Sequence, residues 1–250
     1  MMLESLPQPV VFAHRGASAY APENTLAAFE LAVEHEADAI ELDAKLSADG
    51  HAIVIHDATV DRTTGARGRV NELSLAQLRA LEAGSFMAAR FHGEKIPMLE
   101  EVFEAVGRRT FINVELSNYD SPGDDLVETV CMLVKKFNLQ QRIMFSSFHA
   151  SNLKKVRGLL PDAPRGLLAI NDYRGIWVRS FVFAFGNYQA LHPHFENTSL
   201  QQVKRVHRLR RRVHVWTVNA VDDMRRLFRW GVDGIFTDDP RLAVQIRGSK

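Results

Sequence analysis

Short β-rich runs alternate with helical patterns along almost the whole of this chain, and no other feature restricts its fold so much. The strand-like runs are 9–14 (PVVFAH), 39–44 (AIELDA), 52–57 (AIVIHD), 111–117 (FINVELS), 142–148 (RIMFSSF), 166–170 (GLLAI), 188–193 (YQALHP), 212–218 (RVHVWTV) and 234–238 (GIFTD). Helical spacing follows most of them: Leu26, Phe29 and Val33 after the candidate caps Asn24 and Thr25, then 99–106, 124–137, 150–160, 175–185, 199–211 and 221–230. Strands separated by helices pair in parallel. No linker, low-complexity segment or shift of composition divides the 250 residues. The expected fold is therefore one domain, 1–250, closed as a (β/α)8 TIM barrel.

Nine strand-like runs compete for eight staves. Only KLSADGH separates 39–44 from 52–57, and Asp49-Gly50 within it signals a two-residue hairpin. Such a turn sets Ala48 against His51 and Asp43 against His56, and folds the third run over the barrel mouth, outside the staves. An extended crossover lacking its helix is the alternative; both routes bring His56 to the rim near Asp43. The long stretch 58–96, with a short helix around SLAQLRAL, is expected to form a cap-like insertion.

Lysine and arginine number 31 against 30 aspartate and glutamate, which argues against a nucleic-acid partner. The longest apolar run, GIWVRSFVFAFG, falls short of the ~20 residues that span a bilayer and carries Arg179, so stable membrane insertion is not expected. The start MMLESLPQPVV lacks the basic-then-apolar order of a signal peptide. Cys131, the single cysteine, falls in the apolar pattern of LVETVCMLVKKF as a buried helix residue. One thiol without a cross-link suits a reducing compartment, so a cytoplasmic protein is expected. No feature of the sequence fixes an oligomeric state.

Glu41 and Asp43, two apart in AIELDA, point to one face of a strand, with Ile40 and Leu42 on the other. On a barrel stave the inward face meets the mouth near the C-terminal end, where neighbouring carboxylates repel unless a cation holds them. FINVELS repeats the pattern, with Glu115 between Val114 and Leu116. Three carboxylates converging inside a ring suit a hard divalent cation, Mg2+ or Ca2+, and no cysteine cluster or close histidine pair points to zinc. Ion pairing with arginine or lysine is the alternative. His14 and His56 end the first and third runs beside this set, where a general acid and a general base would stand. Arg15 offers a planar fork that fits phosphate oxygens, or equally a salt bridge to Glu23. Barrel enzymes place their active sites at these strand ends.

Taken in order, HRGASAYAPENTLAAF, AIELDAKLSADGHAIVIHD, NVELS, SSF, VWTVN and GIFTDDP resemble the glycerophosphodiester phosphodiesterase family over about residues 10–240. The resemblance implies a phospholipase-C-like barrel that uses a divalent cation. It would hydrolyse glycerophosphodiesters, such as glycerophosphocholine or glycerophosphoethanolamine, to glycerol 3-phosphate and an alcohol. By motif, the resemblance implies His14 and His56 as the acid–base pair, Glu41, Asp43 and Glu115 as metal ligands, and Arg15 as a phosphate contact. One position departs. Members commonly carry a lysine two residues after the third carboxylate, where this chain has Ser117, on the inward face but uncharged. Weaker phosphate binding or a shifted substrate preference is expected, unless Lys45 supplies the charge.

Phe148 in SSF and Trp216 in VWTVN end later strands, either as an apolar wall for the glycerol carbons or as core. His192 and Asn219 are weaker candidates for the mouth. Asp238 and Asp239 read as caps of a turn or of the final helix, and the run 205–214 (RVHRLRRRVH) as a solvated outer face. A rival activity on the same scaffold is lysophospholipase D action, with Phe86, Met87 and Phe91 forming an acyl slot. A rival of another class is a barrel that binds phosphodiesters without cleaving them, against which the intact set His14, His56, Glu41, Asp43 and Glu115 speaks.

Overall fold

The computed structural model describes residues 3, 5–170, 175 and 177–248. Nine strands form one sheet: β1 (Val10–Ala13), β2 (Ala39–Leu46), β3 (Ala52–Val54), β4 (Phe111–Leu116), β5 (Ile143–Ser147), β6 (Arg165–Ala169), β7 (Ala190–Pro193), β8 (Arg212–Val215) and β9 (Gly234–Thr237). All except β3 are parallel, and β1 pairs with both β2 and β9, so the order β1-β2-β4-β5-β6-β7-β8-β9 closes on itself as an eight-stranded barrel. The expected (β/α)8 architecture is the observed one.

Helices return between staves: α1 (Leu26–Glu34), α4 (Leu99–Val106), α5 (Leu126–Lys136), α6 (Ala150–Leu159), α7 (Val178–Val182 continued by Phe183–Phe185), α8 (Leu200–Arg208), α9 (Val221–Trp230) and α10 (Pro240–Gly248). Two short helices, α2 (Asp61–Thr64) and α3 (Leu75–Ala80), belong to the insertion. Position 176 of the expected 175–185 helix lies outside the described residues. Of the two candidate caps, Thr25 is the one used, its Oγ1 accepting from Ala28 N at 3.3 Å. Among the described residues, no helix is long and apolar enough to cross a membrane.

The strand pleat sorts side chains into layers. Ile40, Leu42, Ala44 and Leu46 of β2 join the outer shell beneath the helices, which also takes Cys131 of α5. Val10, Phe12, Phe111, Met144 and Phe236 fill the barrel interior at one end, Phe12 stacking on Phe236 with ring centroids 4.6 Å apart. Interior packing at the strand N-termini leaves the polar inward residues at the opposite end. The insertion has an apolar core of its own, made by Ile53, Ile55, Val60, Val70, Leu78, Ala83 and Ile96.

β3 lies outside the barrel, antiparallel to β2, as the surplus run was expected to do. The register differs by one residue from the two-residue turn. Ala44 pairs with Val54, and Ser47 N donates to His51 O at 2.9 Å, so three residues form the loop. Ser47 Oγ drives this by accepting from His51 N and donating to Asp49 Oδ1, while Gly50 takes the left-handed φ of +81° that a three-residue loop requires. Asp43 consequently faces Ile55, whose N–H reaches Asp43 O at 3.0 Å, rather than His56. The chain leaves the ladder after Val54, and this departure carries His56 to the mouth.

Candidate active site

His14 directly follows β1, and the next two residues turn through left-handed conformations, Arg15 at φ 55° and Gly16 at φ 85°. This turn points Arg15 N at Glu41 Oε2, 2.9 Å away, and sends the Arg15 guanidinium to Glu23 (2.8 Å) and Asp43 (3.4 Å). Glycine is required at 16 twice over: its φ suits only glycine, and an added Cβ would lie 2.6–2.7 Å from Ala28 of α1. Gly16→Ala is expected to cost about 3 kcal/mol or more, read as a lowered urea midpoint with unchanged slope.

Glu41 and Asp43 on β2 and Glu115 on β4 meet across a parallel ladder in which Asp43 pairs with Glu115. One oxygen from each lies within 4.8 Å of the others. Each carboxylate is oriented by a neighbour: Glu41 by Arg15 N, Asp43 by Asn24 Nδ2 at 2.9 Å, and Glu115 by Tyr119 OH at 2.8 Å. Burial and the Asp43 charge push Glu115 up to about 8, and burial with both neighbouring carboxylates raises Glu41 well above its ordinary value, Arg15 offsetting only part. Such a trio is short of positive charge. A Mg2+ or Ca2+ ion, with ligand distances of about 2.0–2.6 Å, sets opposed oxygens about 4–5 Å apart, so these three residues fit it in both span and chemistry.

The two histidines are held alike. His14 Nδ1 lies 2.7 Å from Asp238 Oδ1, and His56 Nδ1 lies 2.7 Å from Asp57 Oδ1. Each carboxylate favours the Nδ1–H tautomer, which leaves Nε2 as the atom for chemistry. Asp238 is itself fixed by Ser18 Oγ at 3.1 Å and Asn219 Nδ2 at 2.6 Å. Burial opposes its ionisation, but the bonds from His14, Asn219 and Ser18 prevail and hold its pKa below the usual range. Asp57 is held at about 2, first by Arg62 and then by His56. Arg62 also bridges to both oxygens of Glu23, so Asp57, Arg62, Glu23 and Arg15 form one ion-pair chain from His56 to Asp43.

His14, Arg15, Glu41, Asp43, His56, Glu115, Phe148 and Trp216 together line one cleft at the C-terminal ends of the strands. Phe148 and Trp216 meet edge to face, centroids 5.7 Å apart, and Trp216 Nε1 donates to His192 O at 2.7 Å, so the two rings form one wall. Asn113, Ser146, Leu168, His192 and Phe236 complete the lining. Burial drives His192 down to about 3, so it is neutral at physiological pH. Asn113 Oδ1 and His192 Nδ1, both on cleft residues, are buried without a hydrogen-bond partner. Buried polar atoms are nearly always paired, so two in one cleft point to a polar ligand.

Ser117 is not among these residues. It is buried, its hydroxyl donates to Ala44 O at 2.9 Å, and its carbonyl accepts from Lys45 Nζ at 2.5 Å. Phe86, Met87 and Phe91 do not line the cleft either. Asp239 caps α10, with Leu242 N donating to its Oδ1 at 2.9 Å, but Asp238 turns to His14 instead of capping. The supporting roles of Asn24, Tyr119, Asp57 and Arg62 went unread because Asn24, Asp57 and Tyr119 lie outside the observed strands and helices and Arg62 on the short α2, all off the strand alternation that exposes the carboxylates. Only Asp57, adjacent to His56, carried a local signal.

Histidines backed by carboxylates, beside a carboxylate trio at the strand ends of a barrel, suit acid–base chemistry on a substrate held there. Residues 14–242 match the glycerophosphoryl diester phosphodiesterase family, and the chain belongs to that family. It is an enzyme of the phosphoric diester hydrolase class. A glycerophosphodiester phosphodiesterase from Caldanaerobacter subterraneus subsp. tengcongensis is 38% identical over 239 residues, covering 95% of this chain and 97% of the relative. One from Bacillus altitudinis is 34% identical over 245 residues, covering 95% and 97%. An Oleispira antarctica phosphodiesterase, solved with the product sn-glycerol-3-phosphate, superposes with a TM-score of 0.86 at 29% identity and covers 98% of each chain.

Proposed function

We propose that this enzyme hydrolyses water-soluble glycerophosphodiesters, such as glycerophosphocholine or glycerophosphoethanolamine, to glycerol 3-phosphate and an alcohol. His14 and His56 act as the acid–base pair, and Glu41, Asp43 and Glu115 hold Mg2+ or Ca2+. The observation that carries the reading is the pair of histidines, each backed by a carboxylate at 2.7 Å, beside the trio. The Oleispira antarctica relative, with sn-glycerol-3-phosphate bound, supports the product.

A phosphodiester resists attack because its charge repels nucleophiles and its alkoxide leaves poorly. Glu41, Asp43 and Glu115 would hold the divalent ion, which would supply positive charge to the phosphate. The rest falls to the protein. Arg15, locked by Glu23, presents its guanidinium edge to the phosphate oxygens. One histidine Nε2 removes a proton from the attacking hydroxyl, and the other donates one to the departing alcohol. The Phe148–Trp216 wall packs the glycerol carbons, and Asn113 and His192 on the floor supply polar atoms to the hydroxyls. Lys45, seated on Ser117 O, brings positive charge to the strand end that Ser117 leaves neutral.

Asp238→Asn is expected to lower kcat about 10²-fold with little change in KM, because the tautomer and aim of His14 are lost while binding groups remain. The reading as a whole is tested by glycerol 3-phosphate release from the two diesters, with chelator and then with Mg2+ or Ca2+ restored. Cation-dependent release is expected. Release unaffected by the chelator removes the cation from the proposal, and absence of release from both substrates removes the substrate class.

A further inference from the structure

The apolar run GIWVRSFVFAFG, too short to cross a bilayer, becomes α7 on the outside of the barrel. Trp177, Phe181 and Phe185 recur every four residues on one side of it and are 64%, 54% and 84% exposed. Their rings lie in a row, tilted to one another by 38° and 34°, with centroids 4.9 and 5.6 Å apart. The opposite side is already satisfied: Phe183 is buried, and Val178 and Val182 pack on the main core. An exposed row of three large aromatics, with its helix already anchored, is a surface built to meet something apolar.

The neighbours of α7 show what that is. The order β5-β6-β7 places α6 and α8 on its two sides. Over 150–159 and 200–211 there are eight lysines and arginines and no aspartate or glutamate. The whole chain has net charge +1, so the remainder carries −7 and these two ranges hold a net positive charge of eight. Among the described residues, Lys155 alone of these lysines and arginines pairs with a carboxylate, Glu128 of α5, at 3.0 Å. Lys154, Arg157, Phe185 and Arg211 line the same hollow. Aromatic rings between two cationic helices suit the boundary of a bilayer bearing anionic headgroups: the rings enter the acyl boundary, and the cations stay among the phosphates. A second copy of this chain fits poorly, because a two-fold contact through this face would set the cationic helices against one another.

We propose that the α6–α8 face, centred on Trp177, Phe181 and Phe185, is a peripheral docking surface for an anionic lipid bilayer. Trp177 lies at the end of α7 that follows β6, the strand whose Leu168 lines the cleft, so docking holds the cleft mouth near the lipid surface. The inference concerns where the enzyme sits and does not depend on the acid–base assignment.

The test is co-sedimentation with phosphatidylglycerol vesicles and with phosphatidylcholine vesicles, at low and high salt, accompanied by Trp emission. Expected are binding to phosphatidylglycerol vesicles with a blue-shifted emission, at least about tenfold weaker binding to phosphatidylcholine, and loss at high salt. Phe181→Ala/Phe185→Ala and Arg157→Glu/Arg208→Glu are each expected to weaken vesicle binding at least about tenfold while turnover of a water-soluble diester stays at the wild-type value. That turnover is the control for folding. No sedimentation of the wild-type enzyme with phosphatidylglycerol vesicles overturns the proposal, as does equal binding to both vesicle types. A dimer in analytical ultracentrifugation that dissociates in Phe181→Ala/Phe185→Ala also overturns it and assigns the face to a second copy.

Discussion

His14→Ala and His56→Ala are each expected to lower kcat by about 10³-fold or more, while the melting temperature stays within about 3 °C of wild type. The loss is large because Nε2 of each ring is the proton-transfer atom left open by the Asp238 and Asp57 contacts. The stability change is small because both rings sit at the cleft rim, the His56 side chain 42% exposed, and neither fills core volume. The pair also separates chemically. Alanine at the general-acid position should be largely rescued by a glycerophosphodiester whose leaving group is an acidic phenol, since that group departs without a proton. Alanine at the base position should not. Rescue of one variant and not the other assigns the roles, and a turnover above one tenth of wild type in either removes that histidine from the mechanism.

The second large effect is on stability against pH. Glu115 is driven up to about 8 and Glu41 well above its ordinary value, by burial first and then by neighbouring carboxylates. An acid with a raised folded pKa holds more protons folded than unfolded between its two pKa values, so stability falls as pH rises through that window. Cation-free protein is therefore expected to lose melting temperature steadily from pH 4.5 toward pH 8. A bound cation takes the place of the protons and removes the repulsion. Added Mg2+ or Ca2+ at about a hundred times its Kd should raise the melting temperature by about 5–10 °C near pH 8 and by much less near pH 5. Calorimetry with chelator and with each ion, across that range, checks this. A cation effect independent of pH would show that the ion binds elsewhere than at Glu41, Asp43 and Glu115. Asp43→Asn should reduce both the pH slope and the cation effect, because it removes the charge that most raises Glu115 after burial.

The barrel was legible because its signal is redundant: eight staves with helices between them repeat one pattern, and a misread boundary changes nothing. The carboxylates were legible for a related reason. In AIELDA and FINVELS a charge interrupts an apolar face, and only a strand end at a polar mouth accommodates that. Short-range geometry was harder to read. Asp49-Gly50 marked the hairpin, but Ser47, by bonding both Asp49 and His51, lengthened its loop by one residue and moved Asp43 opposite Ile55. α10 was read only as a final helix for Asp238 or Asp239 to cap, without bounds, because RLAVQIRG offers only a short apolar pattern after Pro240. The partners of the histidines lay beyond reach for different reasons. Asp238 looked like a cap beside Asp239, and its contact with His14 spans the closure of the barrel, where β1 meets β9. Asn24 looked like a helix cap until Thr25 took that place and left its amide for Asp43. Ser117 shows the limit of inward-face reasoning: the alternation set it beside Glu115, but it follows the end of β4, does not line the cleft and spends its hydroxyl on Ala44 O.

The hairpin and insertion carry a consequence for how this enzyme tolerates change. His14 rides on the barrel, but His56 is delivered by a segment whose apolar interior, around Leu78 and Ile96, is separate from the barrel's. A substitution such as Leu78→Ala, costing about 2–5 kcal/mol, falls on the smaller unit alone. Such a lesion would open the insertion while the staves stay closed, and the protein would remain folded with its two histidines out of step. Sequence drift inside the insertion is thus selected through turnover, whereas drift in the barrel is selected through folding.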